Sequence, residues 1–446
     1  MLKKLLLLIL LGALVLLTVP PSLAQEEPIS RASEATCEAD LTGQTVKFYH
    51  FGDLSGPYAF ITQPVLIGFE DAITYFNEQG GVCGATIATE YRDTGASGEA
   101  AQAAWDEFTG RGDASVVFLY LTEDSELLRD QATQQQIPLV VATASTRSLY
   151  GENADTPAYV FGATPLYQNQ LGAFCDYISQ NWDSYGIEGD PVIGHISWLG
   201  AFGEASDTEE SRAYCASKGV GYANAQYYFP GIPDISGQIR KALDEGANIL
   251  YTTSLASGPA QLASTVQTLE LQDQIILAGP NWVLDTSVIG LGGEAVAGFI
   301  GQMPYYWWDE QTQPGVKLVN DYWVANRLAT ASDPAQAFQG RNIAYLLAWT
   351  TVAWYQQFMT LAVNQVGGLE GVDGQAVYET LTSGITFDPL DGLIELRYDD
   401  FQRTATRSRI GTIRFVETDG GRIPQVAPLT DWFTVPDLIP GGADVP

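Results

Sequence analysis

From Thr45 onward, short apolar runs alternate with longer stretches in which apolar residues recur every three or four positions. Residues 45–51 read as a strand. Val65, Leu66, Phe69, Ala72, Ile73 and Phe76 then mark one buried face of a helix that Gly80-Gly81 stops. The pattern continues with strands at 85–90, 115–120 and 138–141, and with helices at 99–109 and 124–135 between them. It restarts after Thr164-Pro165, with a helix carrying Leu171, Phe174 and Ile178. Strands at 191–197, 249–253 and 274–278 follow, with helices at 206–218 and 259–269. Alternation of this kind builds parallel sheets covered by helices on both faces. Two copies in tandem predict an α/β protein of two doubly wound lobes. Helices around 315–325 and 341–363 come next, then short strands and turns over 392–433.

The N-terminus has a different pattern. Lys3 and Lys4 precede an apolar run from Leu5 to Leu17, and Ser22-Leu23-Ala24 supplies a small-x-small cleavage pattern. Residues 1–24 are therefore expected to be a secretory signal, since the run is shorter than the ~20 residues that span a bilayer. No cysteine follows closely, so no lipid anchor is expected. The expected location is the periplasm or the outer cell surface.

Charge and cysteines narrow the function further. The formal charge is −32, spread along the chain and arising mainly from scarce Lys and Arg. Such a surface repels nucleic acid and anionic lipid, and no stable oligomer is expected. In an oxidising compartment the four cysteines are expected to pair. Of three possible connectivities, the spacing favours Cys37–Cys83 and Cys175–Cys215, one pair per half.

Catalytic constellations are scarce. His50 and His195 both fall inside strands beside apolar neighbours, and no Gly-x-Ser-x-Gly turn, His-x-x-x-His pair or Walker loop occurs. Arg111-Gly112-Asp113 reads as the turn before a strand. No cofactor or metal is expected, and the protein is read as a binder, not an enzyme.

Polar residues gather instead at predicted strand ends, where open parallel sheets bind ligands. The first lobe offers Ser55 and Tyr58 after its first strand, Thr122 and Asp124 after its third, and Thr143 and Ser145 after its fourth. These hydroxyls either cradle a ligand oxygen or cap the following helices. The second lobe offers Trp198 and Phe202, then Ser254 and Leu255, then Asn281 and Trp282, of which Trp198, Phe202 and Trp282 form an aromatic wall. The run from Tyr305 to Trp308 either lines the cleft rim or packs against the Trp349/Trp354 helix.

Leu54-Ser55-Gly56-Pro57, Gly68-Phe69-Glu70-Asp71-Ala72, Phe76-Asn77-Glu78-Gln79-Gly80-Gly81, Phe202-Gly203-Glu204 and Tyr398-Asp399-Asp400-Phe401-Gln402 occur in this order. Together they resemble type I periplasmic binding proteins of the branched-chain amino-acid (Leu/Ile/Val) family. The resemblance implies a Venus-flytrap of two lobes joined by three hinge crossovers, closing on a small ligand and delivering it to the membrane permease of an ABC importer. It places the ligand carboxylate at Thr122, the Thr143 backbone and Ser145, and an aromatic contact at Phe202. Two positions depart from the pattern. Asn281 replaces an ammonium-binding carboxylate, for which Glu123 or Asp124 is a substitute, and Leu255 replaces a tyrosine. The ligand class therefore stays open among amino acids, amides and small carboxylic or aromatic acids. A diffusible sensory protein of the same fold and a secreted hydrolase are the competing functions. The expected divisions are residues 25–162 with 302–384 as the first lobe, and 163–301 with 385–436 as the second. Residues 437–446 are expected to be a flexible tail, and hinges are expected near 162–165, 299–303 and 384–387.

Overall fold

The computed structural model describes residues 30–333, 337, 340–418 and 421–446. The expected signal at residues 1–24 lies outside the described residues. In β1 (Thr45–Gly52), side chains alternate between two apolar layers, because successive residues of a strand point to opposite faces. Phe48 faces one layer, together with Phe118 and Val140, while Tyr49 and Phe51 face the other, together with Val117, Leu119 and Leu139. The sheet is parallel, in the order β2 (Thr86–Asp93), β1, β3 (Val117–Leu119), β4 (Leu139–Val141), β5 (Val160–Gly162). Burial on both faces explains why β3 and β4 read as unbroken apolar runs.

One face is covered by α1 (Ala59–Glu78) and by the long helix Ile343–Val366, lying side by side. They pack tightly at Gly68, where an added Cβ would sit 2.7 Å from the Cβ of Ala348. The other face carries α2 (Gly98–Thr109) and α3 (Thr122–Gln135). The second sheet is built around β6 (Val192–Trp198), β9 (Ile249–Tyr251), β10 (Ile276–Ala278) and β11 (Ile300–Gln302), all parallel. Short strands β7 (Gly221–Tyr222) and β8 (Gln226–Tyr228) also pair with β6.

The C-terminal region differs from its sequence reading in three places. Ile410–Thr418 and Gly421–Pro428 form one long hairpin, which extends the second sheet antiparallel to β11. The segment at 384–387, expected as the third hinge, is instead a hairpin arm. Thr386 and Phe387 pair with Arg397 and Leu396, and Thr386 also bridges to Arg31. The passage to the second sheet comes later, after Arg403 and Thr404, where Gly162 bridges to Thr404. The tail at 437–446, expected to be flexible, is anchored instead. Leu438 and Ile439 are 0% and 1% exposed, and the Leu438 amide donates to Asn169 on α5 (Tyr167–Asn181) at 3.1 Å. Two apolar side chains beyond Pro436 were enough to dock it.

Both expected disulfides form, Cys37–Cys83 and Cys175–Cys215, each with Cα atoms 5.3 Å apart. They close loops of 46 and 40 residues, for which chain entropy gives about 4 kcal/mol each in the unfolded state. Replacing either pair with serine should lower unfolding free energy by about 2–4 kcal/mol in denaturant titration. Non-reducing peptide maps should recover these two pairs, and a Cys83–Cys175 peptide would contradict the arrangement.

Candidate ligand-binding site

The C-terminal ends of β3 and β4 face the loops after β6, β9 and β10 across a cavity. The first sheet supplies Leu119, Tyr120, Leu121, Thr122 and Glu123 from the β3–α3 junction, and Val140 to Ala142 from β4. The second supplies Phe202, Leu255 and Trp282, and Ala163 and Tyr167 come from the first crossover. Tyr58 stands at the start of α1, held there because the Asp53 carboxylate accepts its backbone N–H at 2.7 Å.

Of the expected site residues, Tyr58, Thr122, Phe202, Leu255 and Trp282 line this cavity. The others lie elsewhere, for local reasons. Ser55 is exposed on the β1–α1 loop. The Thr143 hydroxyl bonds that of Thr164, and its carbonyl accepts from Thr122 Oγ1 at 3.4 Å. Ser145 caps α4 (Thr146–Tyr150) by accepting the Ser148 N–H, and donates to Glu126 at 2.6 Å. Trp198 packs behind the lining, its ring 6.0 Å from Tyr58 and 6.2 Å from Phe202. Ser254 bonds Thr252 at 2.7 Å. Asn281 is fully buried; its backbone N–H donates to Gln170, and neither polar side-chain atom has a protein partner. Asp124 is 2% exposed with Oδ2 unpartnered; burial first, and then Glu123 and Asp53, push its carboxyl up to about 7.

Glu123 connects the two sides. Its Oε1 accepts the Phe202 N–H at 3.1 Å, at the start of the short helix α6 (Ala201–Glu204), and its Oε2 is buried without a partner. Gly203 lets that turn close, since an added Cβ would lie 1.9 Å from the Trp198 carbonyl. Tyr167 was missed in the sequence. Its hydroxyl accepts from Trp282 Nε1 at 2.9 Å, and its ring lies 5.4 Å from Phe202.

The remaining chemistry is structural. His50 is buried against Tyr120 and Thr89, and burial pushes it down to about 3; His195, buried beside Thr253, is pushed down to about 4. Arg111 pairs with Glu90 and Glu107, and Asp113 accepts from Tyr49. In the run 305–308, Tyr305 donates to the Asn281 carbonyl and Trp308 packs on Tyr345 of the long helix, so these rings support the cleft from behind.

Two parallel-sheet lobes with a lined cavity between their strand ends define a bilobal solute-binding protein. The chain belongs to the periplasmic binding protein family, whose profile matches residues 45–422. It is 22% identical over 290 residues to a Leu/Ile/Val-binding protein homolog 3 of Brucella melitensis, covering 65% of this chain and 71% of that one. Its fold is similar to a branched-chain amino-acid ABC transporter protein from Thermus thermophilus with bound valine (TM-score 0.71, 19% identity), covering 88% of this chain and 98% of that one. It is equally similar to a fatty-acid ABC transporter substrate-binding protein from Thermomonospora curvata (TM-score 0.71, 15% identity), covering 94% and 99%.

Proposed function

We propose that this chain is the extracytoplasmic substrate-binding subunit of an ABC importer, capturing a small polar or amphiphilic solute by lobe closure. The observation that carries this reading is the cavity itself, lined from both sheets and spanned by the Glu123–Phe202 hydrogen bond. A contact of that kind exists only while the two sides are together, so it favours the closed arrangement. Delivery would be to a membrane permease. Among the described residues, no helix is long and apolar enough to cross a membrane. Both histidines lie outside the cavity lining, which supports capture over catalysis.

A thermal-shift screen of amino acids, amides, small acids and amines tests the proposal, with a saturable rise in Tm expected for one class. Thr122→Val should then weaken that ligand by about 1–3 kcal/mol in calorimetry, because the cavity loses a hydroxyl from its lining. Ser145→Ala should cost about 1 kcal/mol of stability through the lost cap, while its effect on affinity stays within twofold.

A further inference from the structure

The cavity does not stop at the cleft. It continues into the first lobe as a slot between the sheet and the two helices that cover it. Phe118 and Val140 of the sheet line it from one side and Phe69 of α1 from the other. Along the long helix, Ala344, Leu347, Ala348 and Thr351 form a stripe at helical spacing that faces it, and α1 contributes Ile61, Thr62 and Val65. Ala344 is small where most of this helix is bulky, which leaves space beside it, while Ala348 packs against Gly68 of α1. Thr351 donates its hydroxyl to the Leu347 carbonyl at 2.8 Å, so the deep wall stays apolar. Thr62, one turn below Tyr58, is fully buried with Oγ1 unpartnered, a polar anchor near the mouth.

The mouth has the opposite character. Glu123 presents the unpartnered Oε2 there, with the carboxyls of Asp124 and Asp53 close behind. Among the described residues, the lining contains no lysine, arginine or histidine. Tyr58, Tyr167, Phe202 and Trp282 line the same cavity with aromatic side chains, which attract a cation. An anionic head would meet like charges with no counter-charge, which disfavours a carboxylate ligand.

Resting on the solute-binding reading above, we propose that the ligand is an amphiphilic organic cation. Its ammonium sits against Glu123 within the aromatic ring cluster, and its apolar chain runs into the slot beneath α1 and the long helix.

Calorimetry on the full chain with n-alkylamines from butylamine to decylamine, and with carboxylates of matching length, tests this. Affinity should rise roughly three- to fourfold per methylene and then level off as the slot fills. Matched carboxylates should bind at least about tenfold more weakly. Glu123→Gln keeps the acceptor for Phe202 but removes the charge, and should weaken octylamine about tenfold or more. Ala344→Phe should make the series level off at a shorter chain. Equal or tighter binding of the carboxylates, a flat chain-length response, or no alkylamine binding overturns the inference. If valine or benzoate binds while the amines do not, the inference falls and the solute-binding reading stands.

Discussion

Asp124→Asn is expected to raise the stability of the unliganded protein at pH 8 by about 2–4 kcal/mol. Asp124 lies at the first turn of α3 with its carboxyl buried, Oδ2 unpartnered, and Glu123 and Asp53 nearby. Burial is the larger cause and the neighbouring charges the smaller, and together they hold the folded carboxyl near pH 7. An unfolded aspartate ionises near pH 4. Between about pH 4 and pH 7, the unfolded chain has therefore lost a proton that the folded chain keeps. Stability falls as pH rises through that window, by an amount on the order of 4 kcal/mol, and the loss is complete above pH 7. Asparagine does not titrate, and its amide can donate to the two carboxylates that Asp124 repels. Urea unfolding at pH 5 and pH 8 should show a steeper decline for the wild type than for the variant. Parallel declines would mean that Asp124 is not the group responsible.

The second large effect is expected at Arg403. This side chain is 0% exposed, and burial pushes its guanidinium below the ordinary arginine range. It is held by donating to the Ala158 carbonyl at 3.0 Å, the Tyr378 hydroxyl at 2.6 Å and the Asp399 and Asp400 carbonyls. Its charge stacks 5.2 Å above the Phe161 ring and 5.3 Å from that of Tyr378. One residue thus fastens the strand end of β5, the helix Gly374–Leu381 and the last segment before the third passage between lobes. Arg403→Ala strips several buried carbonyls of their donor and leaves a void, and should destabilise the protein by about 3–5 kcal/mol. Arg403→Lys should recover only part of this, because a point charge cannot reach a forked set of acceptors. A loss under 1 kcal/mol in denaturant titration for the alanine variant would contradict this role.

Much of the fold was legible because its two sheets follow simple periodicities. The runs at 45–51 and 138–141 alternate or stay apolar as parallel strands must, and the α1 face fell at three- and four-residue steps. What stayed hidden depended on partners distant in the chain. Arg403 and Leu438 are a charge and a single leucine in turn-rich sequence, and each reaches a partner more than 200 positions away, Ala158 for Arg403 and Asn169 for Leu438. At the site, the polar residue after a strand lines the cavity at Thr122, but the same signal at Ser145 marked a helix cap. The slot was unreadable for a different reason. Ala344, Leu347 and Ala348 sit on a helix buried nearly all round, so periodicity cannot say which face borders packed protein and which borders space.

Lobe closure around a captured solute is the central claim, and small-angle scattering tests it most directly. Curves should be recorded on the full chain alone and with a saturating concentration of whichever compound raises Tm most in the screen. The account predicts a smaller radius of gyration in the bound state. Identical curves at proven saturation would contradict it.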